Sequence, residues 1–92
     1  MKIFKSIDEK FEYIGFCKTR EDAFGASYEK DLIELPYIHV IDIVHKANGY
    51  HLIQSYQRGV NSDGFNNMVG ITSYEAKLCR EKMKKMGWKD IR

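Results

Sequence analysis

Ninety-two residues, 43% of them hydrophobic, suffice for one domain (residues 1–92) with a single compact core, and this composition excludes a disordered chain. No apolar run approaches the roughly 20 residues of a membrane span, and Asp8 and Glu9 interrupt the N-terminal segment, so the sequence predicts neither a membrane protein nor a signal peptide. The net charge of +2 excludes no class of partner, but it is unevenly distributed, because residues 77–92 carry +5 and the remaining chain carries −3.

The first predicted element is a helix. Ser6 and Glu9 form a capping box, in which the serine side chain accepts a hydrogen bond from the backbone of the third helical residue. Gly15 ends the helix, and Phe16 follows at the position where a Schellman motif places its hydrophobic contact. The apolar residues between these signals share one helix face: Ile7, Phe11 and Ile14.

Four strands are predicted next. A turn at 21–25 separates the first two, and the loop ELP precedes the third, YIHVIDIVH, which is the richest in β-branched residues. The predicted strands are residues 16–20, 26–33, 37–45 and 50–57.

The turn KANG (46–49) sets which side chains meet across the third and fourth strands. A type I turn with Gly49 in the left-handed bulge position places His45 opposite His51. A two-residue turn instead moves His45 opposite Leu52, because a shift of one residue changes every cross-strand pair. We favour the bulge form, and with it a cross-strand pair of imidazoles.

This histidine pair has two interpretations. Imidazoles on Cβ atoms roughly 5 Å apart supply two ligands, whereas a zinc site needs at least a third. Asp42 points to the opposite side of its strand from His45, and both cysteines lie elsewhere in the chain. We therefore expect no bound metal and no cofactor, and the simpler interpretation is two surface histidines beside a turn.

The segment RGVNSDGFNNMVGIT (58–72) also has two interpretations. It departs from the calcium-binding EF-hand pattern because Phe65 occupies a ligand position, and from the phosphate-binding P-loop because no Lys follows its second glycine. Its Asn, Asp and Gly residues fit a compact Ω-loop with Phe65 and Met68 anchored in the core. Alternatively, it forms a polar, anion-binding patch before a helix N-terminus, from the residues Arg58, Asn61, Ser62, Asn66 and Asn67.

The last predicted element is a second helix, which Thr72 and Glu75 begin with another capping box and Gly87 ends. Its apolar residues share one face: Ala76, Cys79, Met83 and Met86. Three cations fall on the neighbouring face, where we expect a solvent-exposed stripe: Lys77, Arg80 and Lys84. This stripe either docks an acidic partner or is a solvated face whose cations interact favourably with the helix dipole.

Together these elements predict an α+β fold of order α-β-β-β-β-α, in which an antiparallel sheet carries both helices on one face. Cys17 and Cys79 lie far apart without a CxxC motif, which fits reduced thiols in a cytoplasmic protein. No catalytic motif or nucleophile–base pair is evident, so we expect a binding protein rather than an enzyme.

Two stretches resemble small uncharacterised proteins of phages and prophages of Gram-positive bacteria. They are KIFKSIDEKFEYIGF near the start, and HLIQSYQRGVNSDGFNNMVGIT followed by the Lys-rich helix and MGW. The resemblance covers nearly the whole chain but brings no established activity and no site residues. It implies an intracellular accessory protein that binds a host protein or nucleic acid.

Two functional hypotheses follow. The first is a non-enzymatic accessory binding protein that contacts a host protein or a nucleic acid through the basic C-terminal helix and the 58–72 loop. The second is a small enzyme or ligand-binding protein that uses the 58–72 loop together with His45 and His51. In either case the chain could form a homodimer through an exposed sheet face or an edge strand.

Overall fold

The computed structural model describes residues 3–46, 49–60 and 66–88. Within these residues two helices, α1 (Ile7–Tyr13) and α2 (Ser73–Lys85), flank five strands: β1 (Cys17–Asp22), β2 (Gly25–Asp31), β3 (Tyr37–His45), β4 (His51–Gly59) and β5 (Asn66–Met68). The strands form one antiparallel sheet in the order β1-β2-β3-β4-β5. The predicted α+β fold is therefore confirmed, with a short fifth strand added to the meander.

Both helices begin where predicted, but the capping box is complete only in α2, because the Glu9 carboxylate of α1 accepts from the Lys5 N–H at 3.3 Å and not from the Ser6 N–H. The Ser6 hydroxyl accepts a hydrogen bond from the Glu9 N–H at 3.2 Å. Thr72 and Glu75 make both bonds of the capping box, at 2.9 Å and 3.0 Å. These bonds satisfy backbone N–H groups that have no partner inside the helix, which fixes the first turn.

Both helices also end as predicted, with Schellman motifs. The N–H of Phe16 donates to the carbonyl of Phe11 at 2.9 Å, and the N–H of Trp88 donates to the carbonyl of Met83 at 3.1 Å. The rings of Phe11 and Phe16 then meet edge to face, with centroids 6.1 Å apart. In the described chain, neither helix has the length and apolar character that a membrane crossing needs.

The core lies between the helices and one face of the sheet. Tyr28 of β2 is fully buried and stacks on Phe11 of α1, with ring centroids 3.9 Å apart. Burying a large apolar side chain contributes about 1.5–3 kcal/mol, so this layer holds the helices on the sheet. The other buried members of the core are Phe16, Ala26, Ile41, Ile43, Leu78, Cys79 and Met83.

Strand alternation gives the sheet two unlike faces. Tyr28 and Ile41 pair across β2 and β3 and belong to the helix-covered face. Residues that alternate with the buried ones along the strands belong to the opposite face, which no described helix covers. Asp42 of β3 and Tyr56 and Arg58 of β4 are among them. We call this second surface the helix-free face.

The β3–β4 hairpin adopts the bulge register. His45 pairs with His51. The N–H of Lys46 donates to the carbonyl of Tyr50 at 2.8 Å, and the N–H of Gly49 donates to the carbonyl of Lys46 at 2.9 Å. Gly49 has a φ of 89°, a left-handed conformation that glycine adopts without steric cost. The favoured pairing is confirmed, and the alternative register is excluded.

The segment 58–72 is shorter as a loop than predicted. It begins with the last two residues of β4 and contains β5, which pairs with β4. The expected burial of Met68 is wrong, because its side chain is 87% exposed. Turn-forming residue types dominate this segment, but strand formation depends more on the available partner strand than on residue type. Phe65, the other expected anchor, lies outside the described residues.

Candidate functional site

The outer face of α2 carries the predicted basic residues. Lys77, Arg80 and Lys84, here called the basic stripe, are exposed, whereas Cys79 and Met83 on the neighbouring face are buried. None of the three cations forms an ion pair with any residue in the described part of the chain. Their spacing of i, i+3 and i+7 aligns them over about 10 Å of helix surface.

Lys82 belongs to the same helix but not to the stripe. Its side chain is 8% exposed, and its ammonium group donates to Asp8 of α1 at 3.1 Å and to Glu21 of β1 at 2.7 Å. Lys18 reaches the same two carboxylates at 2.8 Å and 3.0 Å. These four side chains, here called the ion-pair cluster, join α1, β1 and α2.

The inward position of Lys82 was predictable from the sequence, although the net charge of residues 77–92 included Lys82 as a surface cation. Lys82 follows Leu78 by four residues and Cys79 by three, so a helical wheel places it on the buried side. Counting it among the surface cations overestimated the charge that a partner of α2 can meet. The exposed cations of α2 are Lys77, Arg80, Lys84 and Lys85, and the first three of these form the stripe.

Hydrogen bonds set the protonation state of the ion-pair cluster. Partial burial tends to raise the pKa of Asp8, but hydrogen bonds from Lys18, Tyr28 and Lys82 outweigh burial and lower the pKa to about 2. Hydrogen bonds from Lys82 and Lys18 also lower the pKa of Glu21. Hydrogen bonds to these carboxylates raise the pKa of Lys18. Both carboxylates are thus ionised at neutral pH, and the cluster is a structural link between elements.

The predicted loop residues do not extend the basic stripe. Arg58 lies on the helix-free face, where its guanidinium pairs with Glu29 at 2.9 Å. Asn67 is exposed on β5, and Asn66 pairs with Arg58 in the β4–β5 ladder. The remaining candidates, Asn61 and Ser62, lie outside the described residues. The sheet itself separates Arg58 from the helix face with which it was expected to share a partner.

The N-terminus of α2 is already occupied by a side chain of the chain itself. Glu75 is buried, and its carboxylate accepts the hydrogen bond of the Thr72 N–H. A carboxylate in the first turn complements the positive end of the helix dipole. An external anion would meet this charge, so the helix end does not support the anion-binding interpretation of the 58–72 segment.

His45, His51 and Trp88 form one aromatic cluster at the hairpin end of the sheet. The imidazole centroids are 5.1 Å apart, and they lie 4.9 Å and 5.4 Å from the Trp88 ring. Nδ1 of His45 and Nε2 of His51 are buried without a hydrogen-bond partner among the described residues. Arg58 follows His51 by seven residues, about 23 Å along the same strand, and it points to the other face. The histidines and Arg58 therefore do not share a cleft.

We expect protein purified without a chelator to carry no stoichiometric zinc or calcium. Within residues 3–46, 49–60 and 66–88, no three His, Cys, Asp or Glu side chains are grouped as metal ligands. The His45–His51 pair alone offers too few ligands for a zinc site. Elemental analysis checks this expectation, and one zinc per chain that disappears in a His45→Asn variant would contradict it.

One hydroxyl–imidazole contact was missed by the sequence reasoning. Nε2 of His39 lies 2.6 Å from the hydroxyl oxygen of Ser55 on the neighbouring strand. Burial lowers the pKa of His39, whose ring packs edge to face on Phe16 at 5.2 Å. Ser55 is itself buried, whereas a catalytic nucleophile must reach its substrate. The contact is therefore a structural hydrogen bond between two polar side chains that have little access to solvent. The sequence alone does not show it, because it depends on the register of β3 and β4.

Comparisons with protein families, with curated proteins and with solved structures found no match to this chain. The charges and contacts of the chain itself are therefore the basis of the functional interpretation. Of the predicted site residues, Lys77, Arg80 and Lys84 share one face of α2 and form a continuous exposed surface.

Proposed function

We propose that this protein is a non-enzymatic binding module that docks an acidic partner on the basic stripe. The observation that supports the proposal is the sorting of cations on α2. Lys82 forms ion pairs with Asp8 and Glu21 inside the fold, whereas Lys77, Arg80 and Lys84 are exposed and unpaired with any described residue. Cations without an internal partner, held on a rigid helix, engage a carboxylate without first breaking an existing ion pair.

An acidic protein surface fits this stripe better than a nucleic acid does. Three cations over about 10 Å neutralise few phosphates, so the counterion release that drives nucleic-acid binding would be small. The chain outside residues 77–92 carries −3, which repels a polyanion longer than the stripe. Tyr74, one turn before Lys77, is 42% exposed and offers an aromatic contact of the kind enriched in protein interfaces.

The resemblance to phage and prophage proteins makes a protein of the bacterial host the expected partner, met in the cytoplasm. Cys17 and Cys79 are both free thiols, which fits a reducing compartment. A homodimer is compatible with this proposal, because the helix-free face lies on the opposite side of the sheet from α2. Dimerisation through the helix-free face would leave the basic stripe open.

Replacing Lys77, Arg80 and Lys84 together by Glu is expected to abolish binding of the partner and leave the fold intact. The three side chains are exposed, so the core is untouched while the charge of the stripe is reversed. The wild-type protein is used to isolate a partner from host lysate by pull-down and mass spectrometry. The purified partner is then titrated with wild type and variant, and circular dichroism checks the fold of the variant.

The control separates the stripe from net charge. Lys77→Glu/Lys84→Glu is compared with Lys5→Glu/Lys46→Glu, which makes the same charge change at exposed positions outside α2. Only the first pair should weaken binding. Equal binding by wild type and the triple variant would eliminate the stripe as the contact surface. Binding of labelled DNA or RNA that weakens steeply with salt and is lost in the triple variant would make nucleic acid the partner.

A further inference from the structure

One carboxylate on the helix-free face lies at the centre of three strands. Asp42 of β3 accepts a hydrogen bond from the Ser27 hydroxyl of β2 at 2.6 Å and another from the Tyr56 hydroxyl of β4 at 3.1 Å. Each donor bonds to a different oxygen of the carboxylate. Because a carboxylate has about four acceptor sites, each oxygen of Asp42 keeps capacity for another donor.

Asp42 has no cationic partner among the described residues. The two arginines of the helix-free face are committed elsewhere, Arg58 to Glu29 at 2.9 Å and Arg20 to Asp22 at 2.7 Å. Hydroxyl donors stabilise a carboxylate less than a cation does. The half-buried carboxylate of Asp42 therefore has two hydroxyl donors and no ion-pair partner within the described chain.

A depression of about 350 Å³ opens at this carboxylate, and Asp42, Gln54, Ser55, Tyr56 and Met68 line it. This volume is at the lower end of the range for small-ligand sites, and it suits a side-chain-sized group. Tyr56 contributes an aromatic ring, and the exposed thioether of Met68 contributes a flexible apolar wall. Burial and the Asp42 carboxylate raise the pKa of Tyr56, so its hydroxyl stays a neutral donor at physiological pH.

We propose that this depression binds an alkylguanidinium group, as carried by an exposed arginine side chain of a peptide. The two oxygens of Asp42 each keep an acceptor site, which matches the paired N–H donors of a guanidinium. The planar head stacks on an aromatic ring such as that of Tyr56 more readily than a compact ammonium does. This site differs from the basic stripe in face and in charge, so it would recognise a second, basic ligand.

The proposal is tested on the wild-type chain with three probes that share one alkyl tail: n-butylguanidinium, n-butylammonium and n-butanol. Nuclear magnetic resonance titrations follow the backbone amides of Asp42, Gln54, Tyr56 and Met68. We expect n-butylguanidinium to shift these signals with an affinity at least about tenfold above that of n-butanol, and above that of n-butylammonium. Equal binding of n-butanol would show an apolar patch, and equal binding of n-butylammonium would show a point charge without bidentate recognition; either result overturns the proposal.

Two variants separate the site from overall charge. Asp42→Asn should weaken n-butylguanidinium binding at least about tenfold, because the neutral amide loses the ion pair. Asp31→Asn removes the same charge from an exposed position at the end of β2, outside the depression, and should bind like wild type. Retained binding in Asp42→Asn, or an equal loss in Asp31→Asn, would overturn the proposal. If Asp42→Asn fails to fold, the three-probe comparison on wild type still decides it.

Discussion

Replacing Gly25 by alanine is expected to lower the free energy of unfolding by about 3 kcal/mol. Gly25 pairs with Val44 at the start of β2, and a Cβ at this position would overlap the carbonyl oxygen of Ile43. That oxygen is a backbone atom of β3, so no side-chain rotation relieves the contact and β2 must move away from β3. Because about 1 kcal/mol shifts Tm by about 4–8 °C in a domain of this size, Tm should fall by at least about 12 °C.

Gly70→Ala is the matched control for this prediction. A Cβ at Gly70 meets no atom within 4 Å, so this variant should stay within about 0.5 kcal/mol of wild type. Urea unfolding followed by circular dichroism measures both free energies under the same conditions. A Gly25→Ala variant as stable as Gly70→Ala would show that the close approach of β2 and β3 is wrong.

Features that depend on neighbours in the sequence could be predicted from it. Ser6 and Glu9, like Thr72 and Glu75, interact within one helical turn, so the residue types alone define the helix starts. The KANG turn is also local, and one glycine in the left-handed conformation fixed the register of the hairpin. Exposure of the basic stripe followed for the same reason, because a helical wheel needs only the sequence of α2.

Features that depend on distant partners could not be predicted. β5 forms because its backbone pairs with β4, whereas its Asn-rich sequence alone predicts a loop. Arg58 was expected to serve a binding loop, but its partner Glu29 lies 29 positions away in the sequence. Lys82 finds Asp8 and Glu21 at separations of 74 and 61 positions. In the sequence alone, without the partners that the fold supplies, Arg58 and Lys82 are both interpreted as cations free to bind a ligand.

The Asp42 site could not be predicted from the sequence either, although here the fold creates a candidate site. Its donors come from β2 and β4, so the cluster depends on the register of two hairpins together. From the sequence, Asp42 is notable only as a residue that cannot complete a metal site with His45, because strand alternation turns it to the other face. That alternation is correct, and it is also what places Asp42 on the face that the helices leave open.

Replacing Lys82 by methionine is expected to cost about 2 kcal/mol of stability at pH 7. Methionine keeps most of the packing of the lysine stem but removes the ammonium group. Asp8 and Glu21 then share only Lys18, which leaves a negative charge without a counter-ion. Removing one partner of a buried pair costs about 3–5 kcal/mol, and the cost is smaller here because the two carboxylates are 28% and 37% exposed.

The cost of Lys82→Met should disappear in acid. The pKa of Asp8 is lowered from 3.8 to about 2, so its charged form stabilises the fold fully above the unfolded pKa and ceases to do so as the pH falls through about 2. The lowered pKa of Glu21 acts in the same direction. Once these carboxylates are protonated, Lys82 has no anionic partner to lose. The stabilities of wild type and variant should therefore converge between about pH 4 and pH 2.

Lys84→Met is the control for this prediction, because it makes the same side-chain change on the same helix at an exposed position. It should stay within about 0.5 kcal/mol of wild type at every pH. Adding Glu21→Gln to Lys82→Met restores one carboxylate to one ammonium, so it should recover part of the lost stability. Urea unfolding across the pH range measures all four proteins. If Lys82→Met were as stable as Lys84→Met at pH 7, the buried ammonium would contribute nothing, and apolar packing alone would join α1, β1 and α2.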